Sequence, residues 1–175
     1  MECAECRSAG FTMIELMIAL ALVALLLTVA IPSYQSLRQE QMVKAATQAV
    51  YTDVMLLKSE AIKRNRNLSL IVFNSGASNW CYRIAIDGAG SCTGCSDTCS
   101  SLDGRKGADA SEFAGVNLTT SYGGGKLTFS PRRGTMPSGN ITLSGNGASM
   151  KVMTSNLGRV STCATTSLGG EVACD

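Results

Sequence analysis

The residues best equipped for chemistry in this chain are its eight cysteines. Cys3 and Cys6 form a C-x-x-C near the start. Cys92, Cys95 and Cys99 form a C-x2-C-x3-C, with Cys81 upstream and Cys163 and Cys174 downstream. Thiols at such spacings can do redox chemistry, hold zinc or an iron–sulfur cluster, or close disulfides. The 175-residue chain contains no histidine, which removes imidazole acid–base catalysis, His-based triads and His metal sites together. It also lacks a G-x-S-x-G elbow and a phosphate-cradling P-loop. Asp97, Asp103 and Asp109 recur every six residues in a Gly-rich stretch without the D-x-D-x-D-G spacing of a calcium hand. They read as loop-solubilising residues. The expectation is no enzymatic site, no metal and no cofactor. With 15 Lys+Arg against 13 Asp+Glu the net charge is +2, far from that of a protein that coats nucleic acid.

The elements that must position these residues begin with one apolar block. Residues 11–31, FTMIELMIALALVALLLTVAI, carry a single charge, Glu15, and no Gly or Pro before Pro32. As a helix rising ~1.5 Å per residue the block is about 31 Å long, the thickness of a bilayer core. A cleaved secretory signal has a shorter apolar core and a small-residue cleavage site. A lipoprotein signal needs a cysteine at the end of the block, and the next one is Cys81. A retained membrane anchor fits the length best. Glu15 is the anomaly, because a carboxylate inside an apolar span costs ~3 kcal/mol on insertion scales and normally has a partner or a function.

The segment Gly10-Phe11-Thr12-Met13-Ile14-Glu15-Leu16 resembles the GFTxIEL processing site of type IV prepilins and type II secretion pseudopilins. Pro32 falls where that family commonly has a helix-kinking proline. The resemblance implies that a prepilin peptidase cuts after Gly10 on the cytoplasmic side and methylates the new Phe11 amine. It implies that Glu15 meets the Phe11 amine of a neighbouring subunit in a filament. An ion pair in low dielectric is attractive and an unpaired Glu15 is penalised, so such a pair enforces register. On this reading the leader, with Glu2, Glu5 and Arg7, is discarded together with Cys3 and Cys6. The organisation is then a leader (1–10), a membrane or filament-core helix (11–32), an amphipathic continuation (33–66) and a periplasmic or extracellular head (67–175).

Beyond Pro32 the helical pattern resumes. Val43, Ala46, Val50, Val54, Leu57 and Ala61 recur at spacings of 3 and 4, one stripe of an amphipathic helix. Residues 33–66 lack Gly and Pro, so the spacing predicts a helix from about Thr12 to about Arg64, bent at Pro32. Lys58, Lys63, Arg64 and Arg66 complement the helix dipole and read as a solvated face. From Leu68 the period changes to short β-prone runs, LSLIVF (68–73), WCYRIAI (80–86), KLTFS (126–130), NITLS (140–144), SMKVMTS (149–155) and RVSTC (159–163). Turn-formers separate them, which predicts antiparallel hairpins. The fold class is α+β, one long N-terminal helix packed on an antiparallel sheet. Residues 87–125 read as a Cys-stapled loop, with a strand at Val116–Thr119.

Cys81, Cys92, Cys95, Cys99, Cys163 and Cys174 all fall in the exported head, where an even number reads as three disulfides. Six cysteines allow 15 connectivities. Adjacent strands and loops favour Cys163–Cys174, a closure worth roughly 3 kcal/mol on the chain-entropy model. The other four remain unassigned, and a four-thiolate metal site is the less favoured alternative in an oxidising compartment.

The C-terminal half, Phe129-Ser-Pro-Arg-Arg-Gly134, Gly139-Asn-Ile-Thr-Leu143 and Lys151–Val160 with Gly158-Arg159-Val160, resembles GspH/FimT-type minor pilins. That resemblance implies a minor subunit of a Gram-negative type IV pilus, acting in priming and assembly. The alternative is a minor pseudopilin of type II secretion. Implied partners are other major and minor pilins in a helical filament, the prepilin peptidase, an inner-membrane assembly platform and, before assembly, membrane lipid, with a single pass and a periplasmic head. A subset of such pilins takes up DNA through a G-R-x-R turn. Here Gly158-Arg159-Val160 is followed by Ser161, so the second arginine is absent and DNA contact through Arg132, Arg133 and Arg159 is not favoured.

Overall fold

The computed structural model describes residues 11–86, 92–96, 99, 107–166 and 168–174. The leader with Gly10 lies outside these residues, as do Asp97 and Asp103. The chain divides into two units, with the boundary between Leu37 and Arg38.

Helix α1 spans Met13–Arg64 and contributes its first turns to one unit and its later turns to the other. Thr12 caps its start: the Glu15 N–H donates to Thr12 Oγ1 at 3.4 Å and the Leu16 N–H to the Thr12 carbonyl at 3.2 Å, satisfying donors that the first turn leaves without intrahelical partners. Thr28 Oγ1 bonds back to the Leu25 carbonyl at 2.7 Å, so the hydroxyl needs no partner outside its own helix. Pro32 lies within the helix. The helix ends at Asn65, whose φ of 49° is left-handed. There the Arg66 N–H reaches the Ala61 carbonyl and the Asn65 N–H the Ile62 carbonyl, the paired closure of a Schellman motif.

In the second unit the stripe becomes the core. Val43, Ala46, Val50, Val54, Leu57 and Ala61 are each at most 1% exposed and share one cluster with the strands. The strands are β1 (Leu68–Phe73), β2 (Cys81–Ile86), β3 (Gly107–Asp109), β4 (Asn117–Thr120), β5 (Lys126–Phe129), β6 (Gly139–Gly145), β7 (Ala148–Thr154) and β8 (Val160–Ala164). They form two four-stranded sheets, ordered β3-β2-β1-β5 and β4-β6-β7-β8, with antiparallel pairing throughout the ladders. The head therefore has two sheets where the sequence pattern distinguished only one layer. In β7, Ala148, Met150, Val152 and Thr154 are buried in strict alternation, as the pleat requires of a half-buried strand. The β6–β7 hairpin turns at Asn146-Gly147, both with positive φ, the dipeptide that matches strand twist in a two-residue turn.

The segment expected to be a loop carries more structure than that. Among its described residues are β3, a short 3-10 turn (Ala110–Glu112) and β4. Strand β3 is the sequence Gly-Ala-Asp, which has no alternation to read. Its pairing to β2, Cys81↔Asp109 through Arg83↔Gly107, is a tertiary effect.

Polar groups tie the layers. Asp53 on α1 is 1% exposed and accepts from the Tyr82 hydroxyl on β2 at 2.8 Å. Trp80 donates its indole N–H to the Val116 carbonyl at 2.7 Å and stacks on Phe113. Tyr122 and Thr154 hydroxyls meet at 2.8 Å, and Thr154 also donates to the Pro137 carbonyl.

Substituting within and beside the stripe tests this packing. Leu57→Ala is expected to lower unfolding stability by about 2–5 kcal/mol, whereas Met55→Ala, 41% exposed, should change it by less than about 0.5 kcal/mol. Urea unfolding of the full chain in detergent, followed by the single buried Trp80, reads both.

Candidate functional site

Two regions carry the sequence motifs. The first is the start of α1. Phe11 is 76% exposed, and Met13, Ile14, Leu16, Met17, Ile18, Leu20, Leu22, Val23, Leu25, Leu26, Leu27 and Ile31 are all exposed. An apolar surface of this extent in water is strongly unfavourable, so it belongs in lipid or against apolar partners. Glu15 sits at the third helical position with its backbone N–H capped. Among the described residues no hydrogen bond or ion pair of its carboxylate is found.

The second region is where the C-terminal motifs meet. Lys58 of α1 donates to the Gly158 carbonyl at 2.7 Å, and its ammonium lies 5.9 Å from the centre of the Phe129 ring, within cation–π reach. Gly158 has φ +75°, and a Cβ there would sit 2.6 Å from the Gly134 carbonyl oxygen. Phe129, Gly134 and Gly158 therefore form one contact, which gives the F-x-P-x-x-G and G-R-V motifs a packing reason. Lys58 is half-buried in this contact rather than part of a solvated face. Arg132, Arg133 and Arg159 are exposed. Arg132 and Arg133 line a concavity with residues 65–67 and Ser130, and Arg159 does not.

The cysteines pair as Cys81–Cys95, Cys92–Cys99 and Cys163–Cys174. All four thiols of the proposed metal alternative are thus joined in disulfides. Beside the first of them is a residue the sequence analysis did not single out. Arg83, 3% exposed, donates to the carbonyls of Tyr82 at 3.0 Å, Ala108 at 3.3 Å and Cys95, and to Asp109 at 2.7 Å. A buried guanidinium is tolerated because four acceptors meet its two terminal nitrogens, while its Nε has no partner among the described residues. It binds the disulfide loop to β3. The signal was available: one arginine inside the otherwise apolar run WCYRIAI, two residues from a cysteine.

Glu60 was also missed. It is 5% exposed and accepts from Lys63 at 2.8 Å and Arg64 at 3.1 Å. The Lys63 hydrogen bond first, then that of Arg64, hold its carboxyl below the usual carboxylate range.

This architecture, a long helix with an uncovered apolar start and a disulfide-linked antiparallel head, is that of a pilin-like structural subunit. The family described as Type II transport protein GspH matches residues 46–158, and the prokaryotic N-terminal methylation motif matches residues 6–31. The chain belongs to the GspH family and has a pilin-like fold. Two crystal structures of the Pseudomonas aeruginosa (strain PAO1) type IV minor pilin FimU share the fold. One is 19% identical with a TM-score of 0.52, covering 68% of this chain and 86% of that one. The other is 16% identical with a TM-score of 0.50, covering 68% and 90%. No curated protein sequence matches the chain.

Two outcomes follow from the geometry. Gly158→Ala is expected to cost about 1–3 kcal/mol, from positive φ and the Gly134 contact, while Gly169→Ala, with open space around it, should cost far less; thermal unfolding compares them. Because the folded-state pKa of Glu60 is depressed, its stabilisation is fully present above the ordinary carboxylate pKa near 4.5. It is lost as pH falls through the lowered value. Glu60→Gln should flatten that acidic part of the stability–pH curve.

Proposed function

We propose that this chain is a minor type IV pilin that takes part in priming and assembling the pilus. The observation that carries the proposal is the contrast along α1: the described apolar side chains between Phe11 and Ile31 are uncovered, yet the stripe from Val43 to Ala61 is fully buried. A helix built this way stores its first half in the inner membrane with the head in the periplasm, then moves it into a bundle of neighbouring helices. Both environments are apolar, so the transfer is governed by packing and by the few polar groups. Prepilin peptidase cuts after Gly10 and Phe11 becomes methylated. Glu15 pairs with the Phe11 amine of the adjacent subunit, setting register, and Pro32 adjusts the helix where it leaves the apolar core. The partners are major and minor pilins and the inner-membrane assembly platform. The FimU likeness supports the pilus. A second reading, a minor pseudopilin of a type II secretion system, is supported by the family's description as a type II transport protein.

Expressed with an epitope tag in cells that make both pili and a secretion system, the chain should lose residues 1–10, carry methyl-Phe11 by mass spectrometry and appear in sheared pili. Loss of secretion with normal piliation in the deletion strain selects the pseudopilin instead. Glu15→Ala should be processed normally but enter filaments about a hundredfold less or worse, the scale of a broken pair in low dielectric. Undiminished incorporation removes Glu15 from the mechanism, and an uncut chain in cells with active peptidase removes the processing step.

A further inference from the structure

The end of the head where α1 stops holds polar side chains that the function above does not use. In the β1–β5 ladder Leu68 pairs with Phe129. The residues just before β1 and just after β5 must therefore lie side by side. They do: Asn65, Arg66, Asn67, Ser130, Arg132 and Arg133 line one polar concavity of about 420 Å³.

Both walls are fixed by backbone bonds. The Schellman closure holds Asn65 and Arg66. On the other side the Ser130 N–H donates to the Thr135 carbonyl at 2.9 Å, and the Ser130↔Thr135 bridge closes the turn that carries Arg132 and Arg133. Among the described residues, no hydrogen bond or ion pair engages the side chain of Arg66, Arg132 or Arg133, and no carboxylate lines the cleft. Glu60, one helical turn back, is occupied by Lys63 and Arg64. Three guanidiniums gathered without a counter-charge repel one another, and an anion seated among them relieves that repulsion.

We propose that this cleft binds a phosphate group, with Arg66, Arg132 and Arg133 as its cationic ligands and Asn65, Asn67 and Ser130 as neutral hydrogen-bonding groups. A tetrahedral dianion offers more acceptor oxygens and more charge than a carboxylate, and matches the donor forks of several arginines. Preformed walls lower the ordering cost of binding. A concave site suits one compact group, either a soluble phosphate ester or the headgroup of an anionic phospholipid. Arg159, outside the cleft, takes no part. The proposal concerns the head alone and stands or falls separately from the pilus reading.

The test titrates inorganic phosphate against the purified full chain in non-ionic detergent, with chloride as the control at equal ionic strength. Phosphate should raise the unfolding temperature saturably, as ligand linkage requires, and chloride should not. Arg66→Gln and Arg133→Gln should each weaken apparent affinity about tenfold, the scale of a lost charged hydrogen bond, with Arg159→Gln unchanged. Circular dichroism checks that the variants fold. Glycerol phosphate competing in solution assigns a soluble ester. Competition only by phosphatidylglycerol nanodiscs, and not by phosphatidylcholine discs, assigns a lipid headgroup. The proposal is overturned if phosphate behaves like chloride or if the cleft variants titrate like wild type. It is also overturned if a DNA oligonucleotide displaces phosphate with Arg159→Gln as damaging as Arg133→Gln, because a flat basic strip is then the binding surface.

Discussion

Burial of one helical stripe against two sheets is the constraint on which the rest depends. Val43, Ala46, Val50, Val54, Leu57 and Ala61 give the head its spine, and a domain of this size has little other apolar mass to draw on. The same helix carries twelve and more exposed apolar side chains upstream that no part of the described chain covers. The pattern changes from apolar all round to apolar on one side within a single element. Period alone encodes this change: a helix apolar on every face must find surroundings apolar on every face, while a stripe needs only one partner surface.

The head's second organising feature is register. Pairing of Leu68 with Phe129 places the end of α1 beside the turn after β5. Gly158 then brings the turn before β8 onto Gly134. Lys58 reaches across from the helix to hold that junction by one hydrogen bond and one ring face. Residues separated by a hundred positions in sequence thus meet because two ladders and one glycine bring them together. The arginines of the motif are bystanders to this packing. They are held in turns beside it, and among the described residues their side chains have no hydrogen-bond or ion-pair partner.

Much of this was legible in the sequence. The stripe, the helix end near Arg64 and the runs at 68–73, 80–86, 126–130 and 149–155 follow from periodicity and from turn-formers, which act locally. What was not legible depends on distant partners. Strand β3 exists because β2 offers it an edge. Separation of the strands into two sheets is decided by pairing, which short apolar runs do not specify. Arg83 is buried because three carbonyls and Asp109 converge on it: the β2–β3 pairing supplies Tyr82, Ala108 and Asp109, and the loop bonded through Cys95 to Cys81 supplies the third carbonyl. Lys58 looked like one of several helix-end cations, and nothing in the local pattern singled out Glu60. Lys58 reaches the Gly158 turn, and Glu60 has two cations about one turn away. For the N-terminal motif the sequence remains the main source, since Gly10 lies outside the described residues.

The polar groups of the apolar segment complete the argument. In hydrocarbon a polar atom must find its partner within its own helix or on a neighbour. Thr28 finds one within its helix, through the Leu25 carbonyl. Thr12 satisfies the Glu15 N–H, so the helix start is closed by its own residues. The Glu15 carboxylate is different: no described group of its own chain engages it. In the proposed assembly that asymmetry gives the segment its specificity. Apolar faces slide past one another at little cost, because one methyl resembles the next, whereas a single unsatisfied carboxylate distinguishes the one axial position that offers it a cation. In that proposed assembly the apolar residues make transfer between membrane and bundle feasible, and Glu15 sets where the transfer stops.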